Sequence, residues 1–438
     1  MQNIKKLTLI VMIQAALVSS VYANEQAEAK GFVKGADGTV LFRTGFLSRD
    51  KKNGVADTRS SAQTAIVKLD SGFTKGVVGF GAGIIGDASF KIGKNAHAGN
   101  NMIPLHNNGA KDAQGRVDPY STWARGGAYV KARVSSTTAT YGTQVLDIPV
   151  LASNTARLVP EYFTGVLVTS NEIDKLKLTA GKFTKDQYSD QLSTDGRHLK
   201  SAVVWGAKYD FNDHLNSSYY GVDVKDKLER HYASVNSTHD LKDDSSLTLD
   251  LSGYHTKFDK DANTYSQTTT DLADRHNTIW AVSSAYNKDV HNIMLAYQQN
   301  SGNVGYDYGE NADGGQSMYL PNSYLSDFIG NKEKSAQLQY SYNFKNHGIP
   351  GLNWTTAFVY GWDIHVANPD NRAELITSNA QEHEFFNQVK YTVQSGHLKD
   401  ASLRLRHSYY RASDDYQSSY IGDTNEWRIW LDIPVKLF

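Results

Sequence analysis

Cysteine is absent from this chain, and proline and long apolar runs are scarce. None of the 438 residues is cysteine and only 8 are proline. The lack of thiols excludes disulfide scaffolds and thiolate metal sites. A formal net charge of -1 argues against a nucleic-acid-binding protein with a broad basic surface. Mean hydropathy is -0.50, and no run of about 18 apolar residues follows the N-terminal segment, so no transmembrane helix is expected there.

The N-terminal segment has the three parts of a secretory signal peptide. Lys5 and Lys6 form a basic start, residues 7–17 are an apolar core, and Val21-Tyr22-Ala23 is a small-x-small cleavage site. We therefore expect residues 1–23 to be removed, leaving one domain over residues 24–438 outside the cytoplasm. The alternative is a buried N-terminal helix.

Alternation with period two recurs along the rest of the chain. It is clear in residues 130–134, 247–252, 337–344 and 354–360, where apolar or aromatic residues alternate with polar or small ones. Side chains of a strand point to opposite faces in turn, so this pattern predicts strands of about ten residues. Helical periodicity is nearly absent, and the fold class is all-β.

Short polar turns and longer connections alternate between these strands. Residues 87–123, 143–164, 300–334 and 363–383 are the clearest long connections. Eight short turns and nine longer connections separate about 18 strands and place both termini on the short-turn side. An even number of strands with this asymmetry is typical of a transmembrane antiparallel β-barrel with long extracellular loops. The eight turns are residues 70–72, 135–138, 172–175, 212–214, 242–244, 287–289, 347–351 and 397–400.

Several motifs resemble the OprD family of substrate-specific outer-membrane porins. They are Gly72-Phe-Thr-Lys-Gly-Val-Val-Gly-Phe-Gly81, Tyr141-Gly-Thr-Gln144, Arg157-Leu-Val-Pro160, Thr169-Ser-Asn-Glu-Ile173, Tyr324-Leu-Ser-Asp-Phe328, Gly348-Ile-Pro-Gly-Leu352 and Leu403-Arg-Leu-Arg406. The resemblance implies a monomeric 18-stranded barrel in the Gram-negative outer membrane, surrounded by lipid and lipopolysaccharide. It also implies uptake of small carboxylate-bearing solutes, such as amino acids or aromatic acids, and in some members passage of antibiotics.

Six cations share the strand face that is opposite to the apolar one. Placing each of them toward lipid would cost about 2–4 kcal/mol near the bilayer midplane, so in a barrel they point into the lumen. Such a row attracts anions, and the planar fork of arginine pairs with carboxylate. The resemblance to the family's basic ladder supports the same role. The predicted rungs are Arg125, Lys131, Arg133, Arg404, Arg406 and Arg428. The alternative is that some only balance the charge of Asp250, Glu384, Glu426 or Asp432.

Two long connections are candidates for the constriction of the pore. The segment 143–164 is rich in apolar residues, which favours folding into the lumen, and the family resemblance makes it the eyelet loop. Its polar groups are Arg157, Glu161 and Tyr162. The second candidate is 300–334, where Asp307 could face the basic ladder and hold an amino group. A calcium site around Asp313 is a weaker interpretation, because the spacing matches no EF-hand.

Signatures of catalysis are missing from the sequence. No H-E-x-x-H, G-x-S-x-G or P-loop pattern occurs, and the 14 histidines are scattered. We therefore expect no enzyme activity, cofactor, metal or nucleic-acid partner. The favoured function is selective passive diffusion of carboxylates. The alternatives are a general porin without substrate preference and, less favoured, a secreted β-sandwich adhesin or lectin.

Overall fold

A computed structural model describes residues 25–196, 198–309 and 317–438. The predicted signal peptide and the run around Asp313 lie outside these residues. Eighteen strands are present in the described part of the chain. They are β1 Asp37–Lys51, β2 Thr58–Asp70, β3 Val78–Lys91, β4 Thr122–Val134, β5 Thr137–Gln144, β6 Tyr162–Ile173, β7 Leu176–Gln187, β8 Ala202–Asn212, β9 Leu215–Val224, β10 Leu228–Asp240, β11 Ser245–Phe258, β12 Arg275–Lys288, β13 His291–Gly302, β14 Lys334–Asn343, β15 Leu352–Ala367, β16 Leu375–Thr392, β17 Ser402–Ala412 and β18 Thr424–Lys436.

Helix is confined to three short pieces of the described chain. They are 3-10 segments at His106–Gly109 and Phe344–His347 and the helix α1, Asp414–Gln417. None of the described helices is long and apolar enough to cross a membrane.

The strands form one closed antiparallel sheet. Each strand pairs with its neighbours in sequence, and β18 pairs back with β1 from Thr39 opposite Lys436 to Lys51 opposite Thr424. Closure satisfies the backbone groups that an edge strand would leave unpaired, which a membrane-spanning sheet requires. The predicted 18-stranded barrel is confirmed, and the single closed sheet rules out a β-sandwich.

The eight predicted short turns all join consecutive strands at one end of the barrel. Several are tight, and Ser135, Lys175 and Asp289 adopt positive φ angles of 52°, 62° and 50° there. One long connection is shorter than predicted. Residues 363–383 lie largely in β15 and β16, whose pairing shows register shifts after Gly361. Only residues 368–374 remain as loop.

The outer and inner faces of the wall have opposite chemistry. Val130, Leu251 and Leu338 point outward and are 57%, 52% and 53% exposed. Their strand neighbours of opposite parity point inward and include many buried polar residues. This is the inversion of a soluble protein that a lipid environment demands.

The connection between β5 and β6 folds into the lumen, as predicted. On one wall Tyr254 of β11 donates a hydrogen bond to the carbonyl of Pro149 at 3.0 Å. On another wall Arg43 of β1 donates to the carbonyl of Arg157 at 3.1 Å, and Arg125 of β4 donates to that of Pro160 at 2.7 Å. Residues 145–161 therefore cross the barrel interior and form the constriction loop.

The connection between β13 and β14 is a second inward loop. Phe328 and Ile329 are buried, with exposures of 0% and 1%, and Val304 is also fully buried. Gln298 of β13 donates to the carbonyls of Asp327 and Phe328 at 3.0 and 2.9 Å. We call residues 317–333 the second loop. Together with the constriction loop it narrows the lumen.

Candidate functional site

A cavity of about 440 Å³ lies between the two inward loops and the barrel wall. The wall contributes residues from β14 to β18 and from β1, and the loops contribute residues from each of the two inward segments and from residues 413–423. It is lined by Arg49, Ala156, Arg157, Tyr308, Ser323, Tyr324, Leu325, Asp327, Gln339, Ser341, Thr355, Phe386, Gln388, Arg404, Arg406, Tyr420, Ile421 and Arg428.

Four arginines on adjacent strands form one side of this cavity, which we call the cavity column. Arg404 and Arg406 lie on β17, Arg428 on β18 and Arg49 on β1. Arg406 is opposite Arg428 in the sheet register, and Arg49 is opposite Glu426. Side chains two residues apart on a strand are about 7 Å apart, so the guanidinium groups can follow one another along the wall.

Arg404 and Arg406 are the members of this column that have no ion-pair partner among the described residues. Both are partly exposed to the lumen. Arg406 instead lies over the ring of Phe386, with its guanidinium carbon 5.0 Å from the ring centre. A cation over an aromatic face keeps its charge and most of its donors, so both arginines can bind an anion.

Glu426 holds the other two arginines of the cavity column. Its carboxylate accepts a hydrogen bond from Arg49 at 2.8 Å, and it accepts two from Arg428, one of them at 3.2 Å. The carboxylate is 2% exposed. The charge-balancing alternative therefore describes Arg428 better than it describes Arg404 and Arg406.

The cavity is also lined by an acidic and phenolic group, made of Asp327 of the second loop with Tyr308 and Tyr420. Asp327 accepts hydrogen bonds from the hydroxyls of Tyr308 and Ser323. Burial raises the pKa of Tyr308 and of Tyr420 well above the usual value. The hydroxyl of Tyr308 donates to Asp327 and lies 3.2 Å from the hydroxyl of Tyr420. Asp327 adds a negative group to the lining of the cavity.

The predicted cations of β4 have different surroundings. Arg125 is buried and makes an ion pair with Asp87 at 3.0 Å, with both side chains at 0% exposure. It also donates to the carbonyls of Tyr188 and Pro160, at 2.6 and 2.7 Å. These contacts place Arg125 in the support of the constriction loop, away from the cavity.

Lys131 and Arg133 lie farther along β4, next to the short-turn end of the barrel. Lys131 pairs with Asp70 at 2.7 Å, and Arg133 pairs with Glu25 at 3.5 Å. Both cations lie over the ring of Phe73, at 4.5 and 4.1 Å from its centre. We call Arg125, Lys131 and Arg133 the β4 column. It faces the lumen, and each member has a carboxylate partner.

The predicted constriction residues are divided among different places. Arg157 lines the cavity. Glu161 is fully buried and accepts from the backbone N–H of Asn154 at 2.7 Å, which shapes the constriction loop. Tyr162 donates to Asp87 at 3.0 Å beneath Arg125. Asp307 lines a separate outer pocket, and its carboxylate accepts from the N–H of Gly309 at 2.7 Å.

The sequence reasoning missed Arg49 and Asp327. Arg49 shares its strand face with Leu41 and Leu47, so the parity of β1 did not separate polar from apolar residues. Asp327 belongs to a loop with no periodicity, and its position became visible only through the contacts of the folded chain. Among the described residues, no group of three or more His, Cys, Asp or Glu could hold a metal ion.

Comparison with known proteins decides the family. The model described as outer membrane porin, OprD family, matches residues 30–437. The chain belongs to the OprD family. It is 33% identical over 440 residues to Porin D of Pseudomonas aeruginosa, covering 96% of this chain and 95% of that protein. It is therefore a channel protein of the Gram-negative outer membrane, and its short-turn end is the periplasmic end.

Solved structures agree with this assignment. The crystal structure of Acinetobacter baumannii OccAB1 has 64% sequence identity and a TM-score of 0.88, covering 95% of this chain and 100% of that chain. A BenF-like porin from Pseudomonas fluorescens has 26% identity and a TM-score of 0.80, covering 93% and 100%. The family and the fold are those of channels, not of enzymes.

Proposed function

We propose that this porin selects small solutes that carry a carboxylate and lets them diffuse passively into the periplasm. The observation that carries the proposal is the pair Arg404 and Arg406, which line the cavity without an ion-pair partner among the described residues. Arginine can bind a carboxylate through two parallel hydrogen bonds, and the next arginine can accept it as the solute moves.

The rest of the cavity supports weak binding at several points. Arg49 and Arg428 share the single carboxylate of Glu426, so these three groups together leave a net positive charge beside the pair. Fixed cations in a narrow channel concentrate anions, while several weak sites in series allow the solute to leave. The β4 column contributes less to this path, because each of its cations has a carboxylate partner.

The size and lining of the cavity limit the solute. A volume of about 440 Å³ suits a single small molecule. Tyr324 stacks on the buried ring of Phe386 and offers aromatic surface beside the arginines, and Asp327 of the second loop adds a carboxylate to the lining. The sheet closes on itself within one chain, with β18 paired to β1, and we propose a monomer.

Liposome swelling with matched pairs of solutes tests the proposal. Each pair combines a carboxylate with its neutral amide of nearly equal size, for example benzoate with benzamide and an amino acid with its amide. We expect the carboxylate to enter faster in each pair, and added carboxylate to lower the chloride conductance of single channels through competition for the arginines. Equal rates within every pair, with a large conductance that carboxylates do not change, would identify a general porin instead.

A further inference from the structure

Glu384 of β16 makes contacts that the solute path does not explain. Its side chain points inward and is fully buried, with 0% exposure. The carboxylate accepts hydrogen bonds from two successive backbone N–H groups of the second loop. Leu325 N lies 3.1 Å from both oxygens, and Ser326 N lies 2.9 Å from one of them.

Two further side chains of the wall hold the same segment of the second loop. Glu382 lies two residues before Glu384 on the same strand face and accepts from the hydroxyl of Ser326 at 2.8 Å. From β13, Gln298 donates to the carbonyls of Asp327 and Phe328. The backbone of residues 325–328 is thus held from two strands of the barrel wall.

Burying the carboxylates of Glu382 and Glu384 costs free energy. Neither Glu382 nor Glu384 has an ion-pair partner among the described residues, although both are fully buried. A buried carboxylate is stable only when hydrogen bonds replace its hydration. Here the second loop supplies donors to both carboxylates, and Ser408 of β17 adds a side-chain hydrogen bond to Glu384. The loop and the carboxylates therefore stabilise each other.

We propose that Glu384, assisted by Glu382, is the positioning residue that keeps the second loop against the wall and so keeps the pore open. The held segment contains Leu325 and Asp327, which line the same cavity as the cavity column. Loss of the bonds to Glu384 leaves Asp327 and Phe328 held by Gln298 and frees Leu325 and Ser326 to move into the lumen. Glu384 acts through the loop and does not contact the solute. This role does not depend on which solute the pore selects.

Single-channel recording of three variants tests this role. Glu384→Ala removes both acceptors, and we expect frequent brief closures from the open level. Glu384→Gln keeps one oxygen that can accept from both Leu325 and Ser326, so it should restore a steady current. Glu374→Ala, on the exposed loop before β16, is the matched control and should behave as the parent. Heat-modifiable migration on a gel shows that each barrel has folded.

A labelling experiment tests the same role of Glu384 without recording channel current. The chain has no cysteine, and Ser326 is fully buried. A Ser326→Cys variant should react with a thiol reagent about tenfold faster when Glu384→Ala is added, the factor expected for losing a hydrogen bond to a charged group. Glu384→Gln should leave the rate near that of Ser326→Cys alone.

The proposal is overturned if Glu384→Ala gives a steady channel and slow labelling in a folded barrel. It is also overturned if Glu384→Gln flickers as much as Glu384→Ala, since hydrogen bonding to the loop would not then be the cause. In either case the preference for carboxylates can persist, because it rests on the arginines and not on this contact.

Discussion

The cavity column and the β4 column are both rows of lumenal cations, but they differ in what surrounds the charge. Arg404 and Arg406 face the cavity with no carboxylate partner among the described residues. Arg125 is enclosed by Asp87, by two carbonyls and by the ring of Tyr162, 5.0 Å away. The same strand parity therefore produces cations without a carboxylate partner in one region and a structural support in the other.

The difference shows what positive charge in a lumen does. A cation that already has a buried carboxylate partner adds little net potential to the pore, because the pair is neutral at a distance. A cation without a partner keeps both its potential and its hydrogen-bond donors. Facing the lumen is necessary for a role in transport, and the contacts on the wall decide whether the role exists.

The largest effect on stability is expected for Arg125→Ala. It leaves the carboxylate of Asp87 buried with only Tyr162 as a hydrogen-bond donor, and it frees the carbonyl of Pro160 in the constriction loop. Breaking a buried pair in this way costs about 3–5 kcal/mol. Guanidinium unfolding of the barrel in lipid vesicles measures this loss. A loss of unfolding free energy smaller than about 1 kcal/mol would mean that Arg125 is not a structural support.

An intermediate loss of stability is expected for Glu426→Gln, a substitution that tests the cavity column. The substitution removes the charge that holds Arg49 and Arg428, so the cavity column should gain net positive charge. We expect the reversal potential in a salt gradient to show increased selectivity for anions. We also expect the free energy of unfolding to fall by about 2 kcal/mol, because the hydrogen bonds to the arginines become weaker. A shift toward cations would contradict the assignment of the column as the anion path.

The smallest effect is expected for Lys131→Ala. Lys131 pairs with Asp70 near the periplasmic end, and the carboxylate of that pair is 30% exposed. Partly exposed pairs contribute about 1 kcal/mol or less. Carboxylate uptake in the swelling assay should stay close to that of the parent protein. If Lys131→Ala and Arg404→Ala slowed carboxylate uptake equally, the two columns would have equivalent roles.

Much of the fold follows from the sequence, because strand parity and turn chemistry are local. The strand count, the eight turns and the inward constriction loop could all be predicted. The extent of β15 and β16 could not, because their ends depart from regular pairing. Likewise, inward direction was predictable for Arg125 and Arg404 alike, whereas their partners come from strands and loops distant in sequence.

Reversal potentials in a potassium chloride gradient test the central claim most directly. The comparison is between the double variant Arg404→Ala with Arg406→Ala and the double variant Lys131→Ala with Arg133→Ala, each of which removes two cations. We predict that the first pair shifts selectivity clearly toward cations and slows carboxylate uptake, while the second pair changes both only slightly. Equal shifts in the two variants, or none in the first, would contradict the account.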